Sequence, residues 1–398
     1  MTWKTISVEE ERWQLIKAWA RKEKSVREVC LIFGVSRKTA YKWKQRFIVG
    51  GRLGLRDRSR RPQRMPRQLA PQRIKRIRQL RHRHPAWGPK KLAAWLRPKR
   101  GPAVSARSIG RWLKRLGLSR PRLRHPRKAG WRRPGKLTAA RRPNQVWTVD
   151  FKGWFRTGNG QRCEPLTVRD LFSRYGLLIK VLATQHGPPV KAAFTALFRR
   201  YGLPEVIRID NGNPYASRGP AGLSQLSAWW LRLGIRVEFT RPGCPQDNGS
   251  HEQFHRVMKR ETTRPAAFTR QGQQHRSTGW LHGYNHRRPH EALAQTVPAR
   301  QYRKSRRKFA GRLPAVRYGR RYQVRQVRSN GEIRWRGRKR FIGEAFVHQP
   351  VALRRLKAGI YVVKFINLVI GHLHDQDEGA MRPMIYRHRH RPLKKTKV

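Results

Sequence analysis

From residue 8 to residue 49, apolar positions recur at helical spacing in three short runs. Trp13, Ile16 and Ala20 share one face of the first. Val26, Val29, Cys30 and Phe33 share a face of the second, and Gly34 then breaks the chain. Ser36 is placed to cap a third run on which Ala40, Trp43 and Phe47 face inward, leaving Arg37, Lys38, Tyr41, Lys42 and Gln45 outside. This is a helix-turn-helix pattern, and the cationic and amide side chains of its last helix suit the edge of a major groove. The same logic repeats over 71–118. Ile74, Ile77 and Leu80 form one stripe, and Leu92, Trp95 and Leu96 another. Ser105 caps a third helix with Ile109, Trp112, Leu113 and Leu116 inward and Arg107, Ser108, Arg111 and Arg115 outward.

The period changes near residue 144. Strand-like segments are predicted at 145–155, 164–170, 175–182 and 206–210, with a helix over 190–201 between the last two. Helical patterns follow at 223–233, after Asn248, and around 279–287. Past Arg303 the signal is β again, at 322–327, 333–335, 345–348, 360–366 and 368–372. These elements predict a multidomain chain. An all-α helix-turn-helix domain occupies 1–50 and a second helix-turn-helix or winged-helix unit 70–120. An α/β core occupies 144–303 and a small all-β barrel 304–378. Basic, Pro- and Gly-interrupted linkers, too polar to pack, fill 51–69 and 121–143, and a basic tail fills 379–398.

Composition narrows the function. The 398 residues hold 94 Lys and Arg against 21 Asp and Glu, a formal net charge of +73, so the partner is a polyanion. Hydrophobic residues make up 37% of the chain and include 14 Trp, which excludes a wholly disordered basic tail. Three separated cysteines, Cys30, Cys163 and Cys244, are too few for a disulfide framework or a cysteine-based zinc module, and Cys163 and Cys244 are read as inert. No apolar leader follows Met1, and Lys364 and Asn367 interrupt the longest apolar stretch. The chain is therefore expected inside the cell, with no span in a membrane.

With acids so scarce, their positions carry information. Asp150 closes Trp147-Thr148-Val149-Asp150 inside an apolar strand, where an unpaired charge is costly. Asp210 ends an apolar run just before Asn211-Gly212, at the carboxyl end of a strand, where α/β sheets hold ligands. Glu252 opens a helix after Asp247-Asn248-Gly249 and shares a face with three potential cations, His255, Arg256 and Lys259. Converging, two strand aspartates and a helix glutamate make an oxygen-only set suited to two Mg²⁺ ions, with Mn²⁺ a possible substitute, and to phosphodiester chemistry. Asp170 is read as structural, bridging to a nearby arginine. The histidines in arginine-rich runs, such as His82, His84, His388 and His390, are read as phosphate-facing or solvated.

At these residues the chain resembles DDE transposases of bacterial insertion sequences, whose catalytic core is that of retroviral integrases. The matching motifs are WTVDFKGWF around Asp150, IRIDNGNPYAS around Asp210, RPGCPQDNGSHEQFHRVMKRE around Glu252, and YNHRRPHEAL over 284–293. The resemblance implies an RNase H-like core in which Asp150, Asp210 and Glu252 bind two Mg²⁺ ions and cut and join DNA. It also implies that Arg256 and Lys259 face the DNA. The implied partners are double-stranded DNA, as element ends and target, and further copies of the chain assembled on it, and the implied location is the bacterial cytoplasm, with the nucleoid. Forty-two positions separate Asp210 from Glu252, more than the usual family step, and the excess falls in a loop extension around Ser217 to Ser224. Asp247 is the rival to Glu252 and otherwise the cap region of its helix. His290 and Glu291 are expected to pack a turn against the core. The competing readings are a repressor with a dead core and a nuclease acting on RNA/DNA hybrids.

Overall fold

The computed structural model describes residues 7–59, 68–98, 102–119, 137–217, 219–241 and 244–384. They fall into two compact units, divided after Ala70.

The first unit holds helices α1 (Val8–Ala20), α2 (Val26–Ile32) and α3 (Arg37–Gly50). Each starts on a serine. Ser7 and Ser36 accept from backbone amides of the first turn, and Ser25 forms a capping box with Glu28. Gly34 takes the left-handed conformation (φ +59°) needed between α2 and α3. Leu15, Ile16, Val29, Cys30, Ala40 and Trp43 form the core. The stretch after Gly50, expected to run extended, instead folds back as a short 3-10 turn, Gly51–Leu55, that buries Leu55 completely. Burying one leucine is worth about 1.5–3 kcal/mol, enough to hold so polar a segment down. Arg12 secures it by donating to the Leu55 carbonyl at 2.7 Å and pairing with Asp57.

The second unit opens with α4 (Pro71–Arg83), α5 (Pro89–Trp95) and α6 (Ala106–Arg115), packed on Ile77, Leu92, Ile109 and Leu113. Trp95, expected inward, is 43% exposed. Trp87 is buried instead, and meets the Trp95 ring edge-on at 5.5 Å.

The α/β core follows as β1 (Val146–Phe151), β2 (Phe155–Arg156), β3 (Arg162–Asp170), β4 (Gly176–Leu182), α7 (Pro188–Tyr201), β5 (Val206–Ile209), α8 (Gln225–Arg232), β6 (Arg236–Phe239), α9 (Gly249–Thr262), α10 (Arg270–His286) and the short α11 (Pro298–Gln301). Strands β4, β3 and β1 pair antiparallel, and β1, β5 and β6 pair parallel, which is the mixed sheet of an RNase H-like fold. Trp147, Phe194, Phe198, Ile207 and Trp230 fill one side of it. On the other, Phe254 and Met258 of α9 and Tyr284 of α10 pack against Ile179. Strand β6 alternates Arg236 and Glu238 with Val237 and Phe239, but over only four residues, too short a run to announce it.

Asp170 is fully buried, and its partner is not an arginine. Its carboxylate accepts from the Asn144 amide at 2.7 Å and from the amide and hydroxyl of Ser173 at 2.7 and 2.6 Å.

The C-terminal region is all-β: β7 (Gln323–Gln326), β8 (Glu332–Trp335), β9 (Arg338–Phe341), β10 (Pro350–Lys357), β11 (Ile360–Phe365), β12 (Leu368–His374) and β13 (Arg382–Pro383). Five strands form one antiparallel sheet in the order β13-β12-β11-β10-β7, and β8 and β9 form a hairpin. The strand expected at 345–348 is a 3-10 turn, Glu344–Phe346, between Gly343 (φ +138°) and His348 (φ +59°), with Phe346 buried against Phe365. The stretch from Gly379 to Met384 is folded rather than tail, since β13 extends the sheet. The basic run over 387–397, with His388 and His390, lies outside the described residues. Ala221 and Leu223, from the loop that lengthens the Asp210–Glu252 interval, sit in the core of this β region, and the Ala221 amide donates to the Met384 carbonyl at 2.9 Å. The extra positions are where the two layers join. Among the described residues no helix is long and apolar enough to cross a membrane.

Candidate active site

Parallel pairing places the first two acids. Thr148 of β1 lies opposite Arg208 of β5, and two residues further along each strand comes an aspartate, Asp150 and Asp210. The two carboxylates leave the sheet at the same end of neighbouring strands. Asp150 is partly covered, whereas Asp210 is exposed and fixed in a tight turn by the Gly212 amide, 3.2 Å from its Oδ1. Glu252 stands exposed in the first turn of α9, with Arg256 and Lys259 exposed on later turns.

Asp150 registers the other two acids. Burial first, then the charges of Asp210 and Glu252, push its carboxyl up to about 7, against the pull of the Phe151 amide and Lys152. Like charges held together in this way are what a divalent cation neutralises, and hard oxygen donors suit Mg²⁺. The chemistry of the donor set therefore fits. Among the described residues, no three His, Cys, Asp or Glu side chains are gathered tightly enough to form a ligand cluster.

Asp247 lies one residue before the cap position of α9 and is engaged by an arginine. Arg241 holds it through both oxygens, Nε to Oδ2 at 3.0 Å and a terminal nitrogen to Oδ1 at 2.8 Å. That guanidinium lowers the Asp247 carboxyl below its ordinary range. The cap position of α9 is Asn248, whose side chain makes no capping bond.

His255, expected as a cation beside Glu252, is buried instead. Burial, then Lys152 and Arg169, lower its imidazole to about 3, so the ring is neutral. Its Nε2 lies 2.7 Å from the Thr167 hydroxyl and its Nδ1 3.6 Å from Asp150 Oδ2. His251, fully buried, spans the Thr148 and Thr167 hydroxyls at 2.8 and 2.6 Å. The Thr167 hydroxyl donates to the Asp150 carbonyl at 2.9 Å, and Arg169 donates to the Ser250 carbonyl at 2.5 Å. One polar network therefore fixes both the strand bearing Asp150 and the helix turn bearing Glu252. The sequence signal for it was available: His251 and His255 at i and i+4 in line with Phe254 and Met258, on the buried side of α9.

The prospective DNA contacts are placed as follows. Arg37, Lys38, Lys42 and Gln45 are exposed along α3, while Tyr41, 54% exposed, also packs edge-on against Trp19 at 4.9 Å. On α6, Arg107, Arg111 and Arg115 are exposed, Arg115 lying over Trp112. Ser108 is not a free outward group, because its amide and hydroxyl are both engaged by the Ser105 cap. His84 is not solvated either, since it stacks on Trp87 with ring centroids 4.0 Å apart. His290 and Glu291 do pack a turn: His290 meets Tyr284 edge-on at 4.6 Å, and Glu291 pairs with Lys90 of α5.

Comparison with known proteins agrees with this layout. Models of the integrase core domain match residues 140–245 and 233–298, and a helix-turn-helix domain and a homeodomain-like domain match 11–63 and 39–113. The C-terminal domain of IS481 family transposases matches 322–378. The chain therefore carries helix-turn-helix domains, an integrase core domain and the C-terminal domain of IS481 family transposases. Among its relatives, the insertion element IS476 uncharacterized 39.2 kDa protein of Xanthomonas euvesicatoria is 31% identical over 233 residues, covering 56% of this chain and 62% of that protein. The insertion element IS407 uncharacterized 31.7 kDa protein of Burkholderia multivorans is 28% identical over 225 residues, covering 56% and 78%. Among solved structures, the HTLV-2 integrase catalytic core domain in complex with magnesium aligns at 13% identity and a TM-score of 0.33, covering 42% of this chain and all of that one. The β1 and β5 acids and the α9 acid all fall within the matched integrase core.

Proposed function

We propose that this chain binds the terminal inverted repeats of its own element through its two helix-turn-helix units and cleaves and joins DNA strands at Asp150, Asp210 and Glu252. The observation that carries the reading is the parallel register of β1 and β5, which brings two aspartates to one end of the sheet where the charge of Glu252 is felt. Asp150, Asp210 and Glu252 would hold divalent metal, two Mg²⁺ ions by the resemblance, with Mn²⁺ a possible substitute. Bound there, the metal would activate water or a 3′-hydroxyl and neutralise charge on the scissile phosphate. The chain's own part is to hold those oxygens apart from its many guanidinium groups. Thr167, His251 and His255 brace them from beneath, and Lys152, Arg256 and Lys259 supply positive charge for the strand. Joining two element ends to one target calls for at least two copies assembled on DNA.

The test is strand cleavage and transfer on oligonucleotides copied from the sequences flanking the gene, with Mg²⁺ and with EDTA. Asp210→Asn and Glu252→Gln are expected to abolish both steps while leaving DNA binding intact. Asp247→Asn, which only weakens the Arg241 clamp, is expected to keep most activity. Retained activity in the first two variants would remove the catalytic assignment.

A further inference from the structure

Strand β3 pairs with β1 as far as Phe151 opposite Leu166 and then with β2 from Phe155 opposite Cys163. Three residues, Lys152 to Trp154, therefore span what Glu164 and Pro165 span on the partner strand. This is a one-residue bulge, with Gly153 at φ +82° and the Lys152 amide bonded to the Pro165 carbonyl at 3.0 Å. Bulges turn a side chain out of its regular position and concentrate beside active sites. Here the side chain turned out is Trp154, 57% exposed. Two guanidinium groups lie against its ring, Arg162 at 5.1 Å and Arg156 at 5.9 Å from the centroid. Both are tethered, Arg162 to the buried carboxylate of Glu164 at 2.6 Å and Arg156 to the Gly160 carbonyl at 2.9 Å. More than half of a large aromatic surface is thus held open between fixed cations. Four residues of chain reach at most about 14 Å, so the indole lies within a few nucleotides of Asp150 along a strand.

We infer that Trp154 is a stacking platform for an unpaired nucleobase of the DNA strand entering the acid site, with Arg156 and Arg162 on the phosphates beside that base. An aromatic face between cations suits a base and its backbone together, and it is indifferent to which base is present. The inference rests on the proposed strand chemistry at Asp150, and it makes local unpairing of the DNA end part of substrate recognition. Phe268, 72% exposed, lies beyond the far end of β2, where its carbonyl accepts from the Asn159 amide.

The experiment uses the full-length protein and duplexes carrying a short 3′ overhang with 2-aminopurine at each position in turn, against matched blunt duplexes. Wild type is expected to quench the probe at one or two overhang positions and to prefer overhang over blunt DNA. Trp154→Ala is expected to abolish the quenching and cut that preference about tenfold, the loss that one aromatic–base stack implies. Trp154→Phe should retain most of both. The ratio of overhang to blunt affinity cancels the non-specific binding of so basic a chain. Unchanged quenching and preference in Trp154→Ala would overturn the platform. The catalytic reading fails separately, through cleavage by Asp210→Asn, so either result can be lost without the other.

Discussion

His255 Nδ1 stands 3.6 Å from Asp150 Oδ2, and it does so as a neutral ring whose other nitrogen is engaged by Thr167. A neutral imidazole adds no charge to the site. It limits where the carboxylate can point, as partners behind metal-binding side chains commonly do. His255→Ala is expected to lower single-turnover strand cleavage by about 10- to 100-fold with little change in DNA affinity. His255→Gln, which keeps a polar end, should recover part of the loss and shift the divalent-ion concentration for half-maximal rate less than the alanine does. Cleavage at the wild-type rate in His255→Ala would show that Asp150 needs no such brace.

The helix-turn-helix surfaces make a different kind of prediction. Each contact to phosphate releases counterions and contributes about 0.9 to the slope of log affinity against log salt. Single alanine substitutions of Arg37, Lys42, Arg107 and Arg111, all exposed, should each flatten that slope by up to about one and weaken all duplexes alike. Gln45→Ala should instead narrow the difference between the element end and an unrelated duplex, because an amide is suited to hydrogen-bond base edges. Fluorescence anisotropy over a salt series checks both effects. Slopes that stay at the wild-type value in all four cation variants would place the DNA elsewhere.

The two helical units, the strands β1, β3, β4 and β5 and the three candidate acids were legible because each rests on a local signal: a serine cap, an apolar period, or a carboxylate at the end of an apolar strand. What was missed depends on tertiary context. β6 alternates over only four residues and β9 carries three cations in four positions, so their extended form depends on pairing with β5 and β8. His255 lies three residues from Glu252, near enough on a helical wheel to suggest one surface. The wheel does not say where burial begins, and the floor of the site turns out to run between them. Asp247 and Glu252 could not be ranked from spacing alone, because the Arg241 clamp closes across a turn. The Trp154 bulge needed both β1 and β2 to be matched against one partner strand before the extra residue could be counted.

His290 makes stability depend on acid. Its ring is packed under Tyr284, and its Nε2 is buried without a partner. Burial first, then the neighbouring charges of Lys91, Arg288 and Arg169, lower its imidazole to about 3, against an ordinary value of 6.5. Between those values the unfolded chain takes up a proton that the folded chain refuses. The stability His290 permits is therefore complete above pH 6.5 and drains as the pH falls towards 3. From pH 7 to pH 5 this one residue should cost about 2 kcal/mol of folding free energy. His290→Gln cannot take up the proton. It should start less stable at pH 7, because the amide fills the ring's space imperfectly, yet lose about 2 kcal/mol less than wild type over the same interval. Urea unfolding of both proteins at pH 7 and pH 5 measures the difference. Parallel losses would mean that the folded state protonates His290 as readily as water does, and that the turn around it opens before the rest of the core.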